Sequence, residues 1–264
     1  MDVAGPDDGG LPLAGIKRGD ALTALRDGPM DRAALMERLD VSRTTIHRIV
    51  RALEARDIVE QRGNEFELTT FGQTVADEVA AYRRRVRAAG HLKPFLETTP
   101  DLPVELDVGL FQRAQVTETE PTNPYGPVAR FMELLVDSET LYGFDTTTIA
   151  PIYVDEIRDE ILGGMETDVV YLPSVVEDIV DTYAAEIAAA VESGHLTLST
   201  HEDLPFGLAV FDDRVGLGGY DPETGMLRAF VDTADPGARE WALDLYERYR
   251  EAATPMELSS GTSD

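Results

Sequence analysis

The sequence has no cysteine, which excludes disulfides, thiol catalysis and cysteine-ligated zinc. Lysine is nearly absent: Lys17 and Lys93 stand beside 21 arginines. No apolar run approaches the roughly 18 residues that span a bilayer. The start, "MDVAGPDDGGLPLAG", lacks the basic region and the apolar stretch of a secretion signal. A soluble, cytoplasmic protein without a membrane partner is expected. The four histidines, His47, His91, His195 and His201, form no His-x-x-x-His or comparable pair. No metal and no cofactor is therefore expected.

What is present is acid. Asp and Glu total 50 against 23 Lys and Arg, a formal net charge of −27 over 264 residues. An acidic, lysine-poor surface is expected of a protein from a salt-rich cytoplasm, where concentrated ions screen its self-repulsion. An ordinary acidic protein is the alternative. The charge is uneven. Residues 17–72 carry 10 basic and 10 acidic residues, whereas residues 73–264 carry 13 and 37. One segment has been kept neutral.

With 43% hydrophobic residues the chain can build two domains of ordinary size. Residues 1–15 read as a flexible arm and 254–264 as a flexible tail. Residues 16–90 form the first block. A helix is expected over about 17–26 and a second from an Asp31 cap through Leu39. "DVS" turns, and Ser42 caps a third helix to about Arg56. "DIVEQ" and "EFELT" alternate as two strands around "RGN". A long helix follows from about Thr70 to Ala89. Residues 91–253 alternate strands and helices, then close with three strands near 207–233 and a helix over 236–252. That pattern predicts an α/β domain with a mixed sheet.

Function concentrates in the third helix. Ile46, Ile49, Val50 and Leu53 fall at i, i+3, i+4 and i+7, one buried stripe. The opposite face carries Arg43, Thr44, His47, Arg48 and Arg51. Arginine forks suit guanine edges and phosphate, and the Ser42 and Thr45 hydroxyls at the helix start suit phosphate. A short helix, a three-residue turn and this helix have helix-turn-helix geometry, with double-stranded DNA as the partner. Arg62 and Asn64 at the hairpin tip offer a second contact. The bland reading is an arginine-rich helix that is merely solvated.

The run "DRAALMERLDVSRTTIHRIVRALEARDIVEQRGNEFELTTFG" resembles the winged-helix domain of prokaryotic and archaeal transcription regulators. The block "DLPFGLAVFDDRVGLGGYDPETGMLRAFVDTADPGAREWALDLYERYRE" is similar to the C-terminal sensory domain of a large archaeal regulator family. That family includes a regulator of methanogenesis and has many haloarchaeal members. The resemblance implies an α+β winged helix-turn-helix domain followed by an α/β sensory domain. It also implies a sequence-specific transcription regulator that senses a small molecule or a partner.

In the long helix, Phe71, Val75, Val79, Tyr82 and Val86 are spaced like a heptad seam. They predict either a homodimer or packing within the chain. Arg83, Arg84, Arg85 and Arg87 could touch phosphate or pair with carboxylates. A small-molecule effector pocket is expected at loops after strand ends. The candidates are Asp145 and Thr146 of "DTTT", Ser174, and His201 and Phe206 of "THEDLPFG"; each could equally be a surface residue. Two other classes stay open. One is a protein–protein adaptor with a degenerate winged helix. The other is an enzyme in the second block, for which no motif speaks. "GLGGYD" lacks nucleotide-loop spacing and reads as a bulged turn. "HLKPF" offers the His-x-Lys of phospholipase D, but Thr98 stands where its Asp belongs.

Overall fold

The computed structural model describes residues 15–256, except 101, 103, 104, 148 and 149. The expected arm up to residue 14 and the expected tail from 257 lie outside the described residues. The chain divides into two units, Met1–Arg87 and Ala88–Asp264.

The first unit holds α1 (Gly19–Arg26), β1 (Met30–Asp31), α2 (Arg32–Leu39), α3 (Arg43–Glu54), β2 (Val59–Arg62) and β3 (Glu65–Leu68). Helix α4 (Thr70–His91) follows, and the division falls inside it. Asp31 caps α2, its carboxylate accepting from the Ala34 amide at 2.8 Å. Asp40 ends that helix in the left-handed region at φ 49°. Aspartate tolerates that region better than branched residues do. Ser42 caps α3 by accepting from the Thr45 amide at 3.3 Å. The three strands pair antiparallel in the order β1-β3-β2. Leu22, Leu25, Leu35, Ile46, Leu53 and Phe66 meet in one core. Gly72 sits where α4 begins against the Ile58 carbonyl, and any Cβ there would collide with it. The short strand β1 went unread, because two residues carry no periodicity.

The second unit holds α5 (Lys93–Leu96), β4 (Gln115–Glu118), α6 (Gly126–Val136), β5 (Thr140–Asp145), α7 (Val154–Gly163), β6 (Glu166–Tyr171), α8 (Pro173–Glu192) and β7 (Leu196–Thr200). Then come β8 (Gly207–Val210), β9 (Val215–Tyr220), β10 (Leu227–Thr233), α9 (Pro236–Ala252) and β11 (Thr254–Pro255). One eight-stranded mixed sheet runs β11-β7-β6-β5-β8-β9-β10-β4. Strands β5, β6 and β7 are parallel and are joined through α7 and α8, the connection parallel strands require. The rest pair antiparallel. Alternation along the strands supplies two cores. Phe144, Leu208, Val210 and Val231 pack with residues of α5 and α9. Leu141, Ala209 and Phe230 pack with residues of α6 and α7.

Two expectations change here. Thr254 and Pro255 belong to the sheet as β11, paired with Thr200 and Ser199, and are not tail. The glycines of "GLGGYD" lie within β9 rather than in a turn: Gly216 faces the Phe230 ring and Gly219 the Thr98 side chain, so neither leaves room for a Cβ. On β10, between β9 and the edge strand β4, Asp232 is fully buried and accepts from Arg130 Nε at 2.9 Å and from Arg214 Nε at 3.0 Å. The Asp232 hydrogen bond holds the Arg130 guanidinium firmly protonated.

Candidate nucleic-acid interface and cavity

The core stripe of α3 leaves Arg43, Thr44, His47, Arg48 and Arg51 exposed on its other side. Thr45 is half-buried, its hydroxyl 3.0 Å from Ser42 Oγ, so it belongs to the cap. Ser42 itself is exposed. Among the described residues, Arg43, Arg48 and Arg51 form no ion pair. Other arginines of this unit are tied down: Arg26 to Asp77, Arg38 to Asp27 and Arg83 to Asp20. Of the run on α4, Arg83 thus faces a carboxylate of its own unit, while Arg84 and Arg87 are exposed.

The hairpin departs from its expected basic character. Gly63 turns at φ 63°, and Asn64 beside it is exposed. Arg62, however, binds Glu60 Oε1 at 2.8 Å and Glu67 Oε1 at 2.5 Å. Its charge is cancelled by two neighbours. Among the described residues, Arg43, Arg48 and Arg51 of α3 have no such neighbours, and neither have Arg84 and Arg87 of α4.

The heptad-like seam divides. Val79 is buried and Val75 half-buried in the core of their own unit. Phe71, Tyr82 and Val86 stay 47%, 50% and 51% exposed. Helical geometry places these three and Val75 along one side of α4.

The second unit encloses a cavity of about 490 Å³ between the sheet and helices α6, α7 and α8. Its wall is mostly aliphatic and aromatic, with Phe131, Ile157, Val169, Ile187 and Phe230 among the lining residues. A polar group sits where β5, β6 and β9 end: Asp145, Tyr171 and Tyr220 all line the space. Asp145 Oδ2 accepts from the Tyr220 hydroxyl at 2.5 Å. Its Oδ1 accepts from the amides of Thr146 at 2.7 Å and Thr147 at 3.3 Å. Burial pushes the Asp145 carboxyl up to about 6, against the pull of those hydrogen bonds. Burial and the Asp145 charge together push both tyrosine hydroxyls upward, so they remain neutral.

Of the expected pocket stretches, the structure brings Asp145 and Thr147 of "DTTT" and Gly207 of "THEDLPFG" to the cavity wall. Thr146 is half-buried and gives its amide to Asp145 without lining the space. Thr148 lies outside the described residues. Ser174 is exposed at the start of α8. His201 packs its ring on Tyr249 at 5.2 Å and accepts from the Asp203 amide. Phe206 is core, wedged between Phe95 and Phe144 at 5.5 and 5.8 Å. Tyr171, Tyr220 and Glu186 were not foreseen; the signal available was the strand ends "VVY" and "GGY". The His-x-Lys pair holds structure instead: His91 Nε2 lies 2.8 Å from the Ala114 carbonyl, and Lys93 pairs with Glu97. Among the described residues, no group of three or more His, Asp or Glu could hold a metal ion. No described helix is long and apolar enough to cross a membrane.

Residues 124–252 match the family described as the middle domain of the methanogenesis regulatory protein FilR1. Residues 11–91 match the family described as the HVO_A0261 N-terminal domain. No curated protein matches the chain. Among solved structures, the chain is similar to TrmBL2, an archaeal chromatin protein, at 18% identity and a TM-score of 0.46, over 90% of this chain and 92% of that one. It is also similar to Nuc, a phospholipase D family member from Salmonella typhimurium, at 15% identity and a TM-score of 0.43, over 55% of this chain and 97% of that one. NucT from Helicobacter pylori gives 11% identity and a TM-score of 0.43, over 55% and 99%. At TM-scores below 0.5 none of these likenesses identifies an activity for this chain.

Proposed function

We propose that this chain, archaeal transcription-regulator-like in its two matched regions, is a sequence-specific DNA-binding transcription regulator. The observation that carries the reading is the exposed face of α3, whose Arg43, Arg48 and Arg51 are unpaired in a chain where acid outnumbers base by two to one. In such surroundings, leaving three guanidiniums without carboxylate partners fits a face reserved for an anionic partner. The helix order, the Ser42 cap and the β2–β3 hairpin support a winged helix-turn-helix. In that reading α3 enters the major groove, with Arg43, Thr44, His47, Arg48 and Arg51 facing the DNA. The neutralised Arg62 gives the wing a minor part, with Asn64 at its tip near the backbone.

The regulator acts as a homodimer in this reading, joined through the exposed side of α4 that Tyr82 and Val86 share, so that two half-sites are read together. The cavity of the second unit supports a sensor that takes a small effector and changes DNA affinity. A salt-rich cytoplasm fits the acidic surface. There, counterion release adds little to affinity, and the α3 face works mainly through base contacts and fit.

The test is selection of binding sites from random duplex DNA by the full chain in molar KCl, followed by genome-wide mapping of bound DNA. Enrichment of a two-fold symmetric site supports the reading. Recovery of no common site overturns it and favours the adaptor alternative.

A further inference from the structure

We infer that the cavity of the second unit binds an apolar organic cation: a small molecule with a hydrophobic body and one amine or ammonium head, held by Asp145. The inference deepens the sensor reading above and rests on it.

Charge within the cavity favours one sign. Two carboxylates, Asp145 and Glu186, line it, and among the described residues neither has a cationic partner. The guanidinium that lines it, Arg158, is already committed, at 2.7 Å to Asp155 and 2.8 Å to Asp159. An anionic head would therefore meet two uncompensated acids and no free cation, whereas an ammonium head completes an unpaired buried carboxylate.

Hydrogen-bond capacity says the same. A carboxylate offers about four acceptor positions. Asp145 uses three, for the Tyr220 hydroxyl and two backbone amides. The Tyr171 hydroxyl, which also lines the space, has no hydrogen-bond partner among the described residues. At the Asp145 end of the cavity one carboxylate position and one hydroxyl thus remain open, enough for an amine head.

The remainder of the wall suits a hydrophobic body. Aromatic rings around the space, such as Phe131 and Phe230, offer faces to a cation and area to an apolar group. At its edge Tyr125 and Met226 are 54% and 44% exposed while lining the cavity. An apolar rim of this kind marks an entrance for an apolar guest.

The experiment uses the full chain and three probes with one body and three heads: naphthylmethylamine, naphthylmethanol and naphthoate, titrated calorimetrically at neutral pH in molar KCl. The expected order is amine, then alcohol, then acid, with the amine about tenfold tighter than the alcohol. Asp145→Asn should remove that tenfold preference and leave alcohol binding within about twofold. Glu186→Gln, on a half-buried helix position, should lower amine affinity by a smaller factor. Naphthoate binding as tightly as the amine, amine and alcohol binding alike, or none of the three binding overturns the proposal. So does an Asp145→Asn protein that keeps its amine preference. If that variant does not fold, the wild-type series and Glu186→Gln decide. DNA binding by the same preparation separates the two readings. Lost amine preference with intact DNA binding overturns the ligand class alone, and the converse overturns the regulator alone.

Discussion

The Tyr220 hydroxyl donates a 2.5 Å hydrogen bond to Asp145 Oδ2, joining the end of β9 to the end of β5. The pair places an acid in a largely apolar cavity without a cation beside it. Burial raises the Asp145 carboxyl to about 6, so the folded state holds a proton between roughly pH 4 and 6 that the unfolded chain releases. Asp145 therefore favours the folded state at low pH, and that advantage is lost as pH rises through 6. Tyr220 and Tyr171, which face it, stay neutral throughout, while Glu186 and Arg158 line the same space. Asp145→Asn should stabilise the protein above pH 7, by at most about 3 kcal/mol, and change little near pH 4. Chemical denaturation at both pH values checks this; a variant destabilised above pH 7 contradicts the burial account.

Asp232 anchors the other side of the sheet. It is fully buried and accepts from both Arg130 and Arg214. Asp232→Ala strands two guanidiniums that can only partly reach water. The expected cost is about 3 kcal/mol, toward the low end for a broken buried ion pair because both arginines keep some exposure. Thermal unfolding that matches the wild type would mean solvent replaces the carboxylate fully.

The exposed side of α4 is expected to hold two copies together. Replacing Tyr82 and Val86, each about half exposed, with Glu should leave a folded monomer, because these side chains add nothing to their own core. Sedimentation of wild type and variant reads the outcome. A monomeric wild type, or a variant that remains a dimer, rules out this face.

The net charge of −27 predicts strong salt dependence. Moving from about 0.1 M to about 3 M KCl shortens the screening length from about 10 Å to under 3 Å and should raise the melting temperature. An unchanged melting temperature removes the salt-adaptation reading.

How much of this was legible in the sequence follows from locality. The α3 stripe, its Ser42 cap and the hairpin depend on neighbours within a turn or two, and spacing reveals them. Asp145 was legible as a polar residue ending a strand. Its partners were not. Tyr171 and Tyr220 reach it through the order β6-β5-β8-β9, which no local spacing encodes. Phe206 was misplaced because its Pro-Gly frame suggested a loop; alternation with Leu208 and Val210 would have put it on the α9 face. The Arg62 pairing was legible too: Glu60, two residues before it in β2, shares its side of the strand.

Helix α3 is proposed to read DNA through its unpaired arginines. The direct measurement is the affinity of full-length wild type, Arg48→Ala and Arg51→Ala for a selected operator and for a scrambled duplex at one fixed KCl concentration. A loss of about 1–3 kcal/mol on the operator is expected for at least one variant, with less discrimination against the scrambled duplex. Both variants binding the operator as tightly as wild type would contradict it.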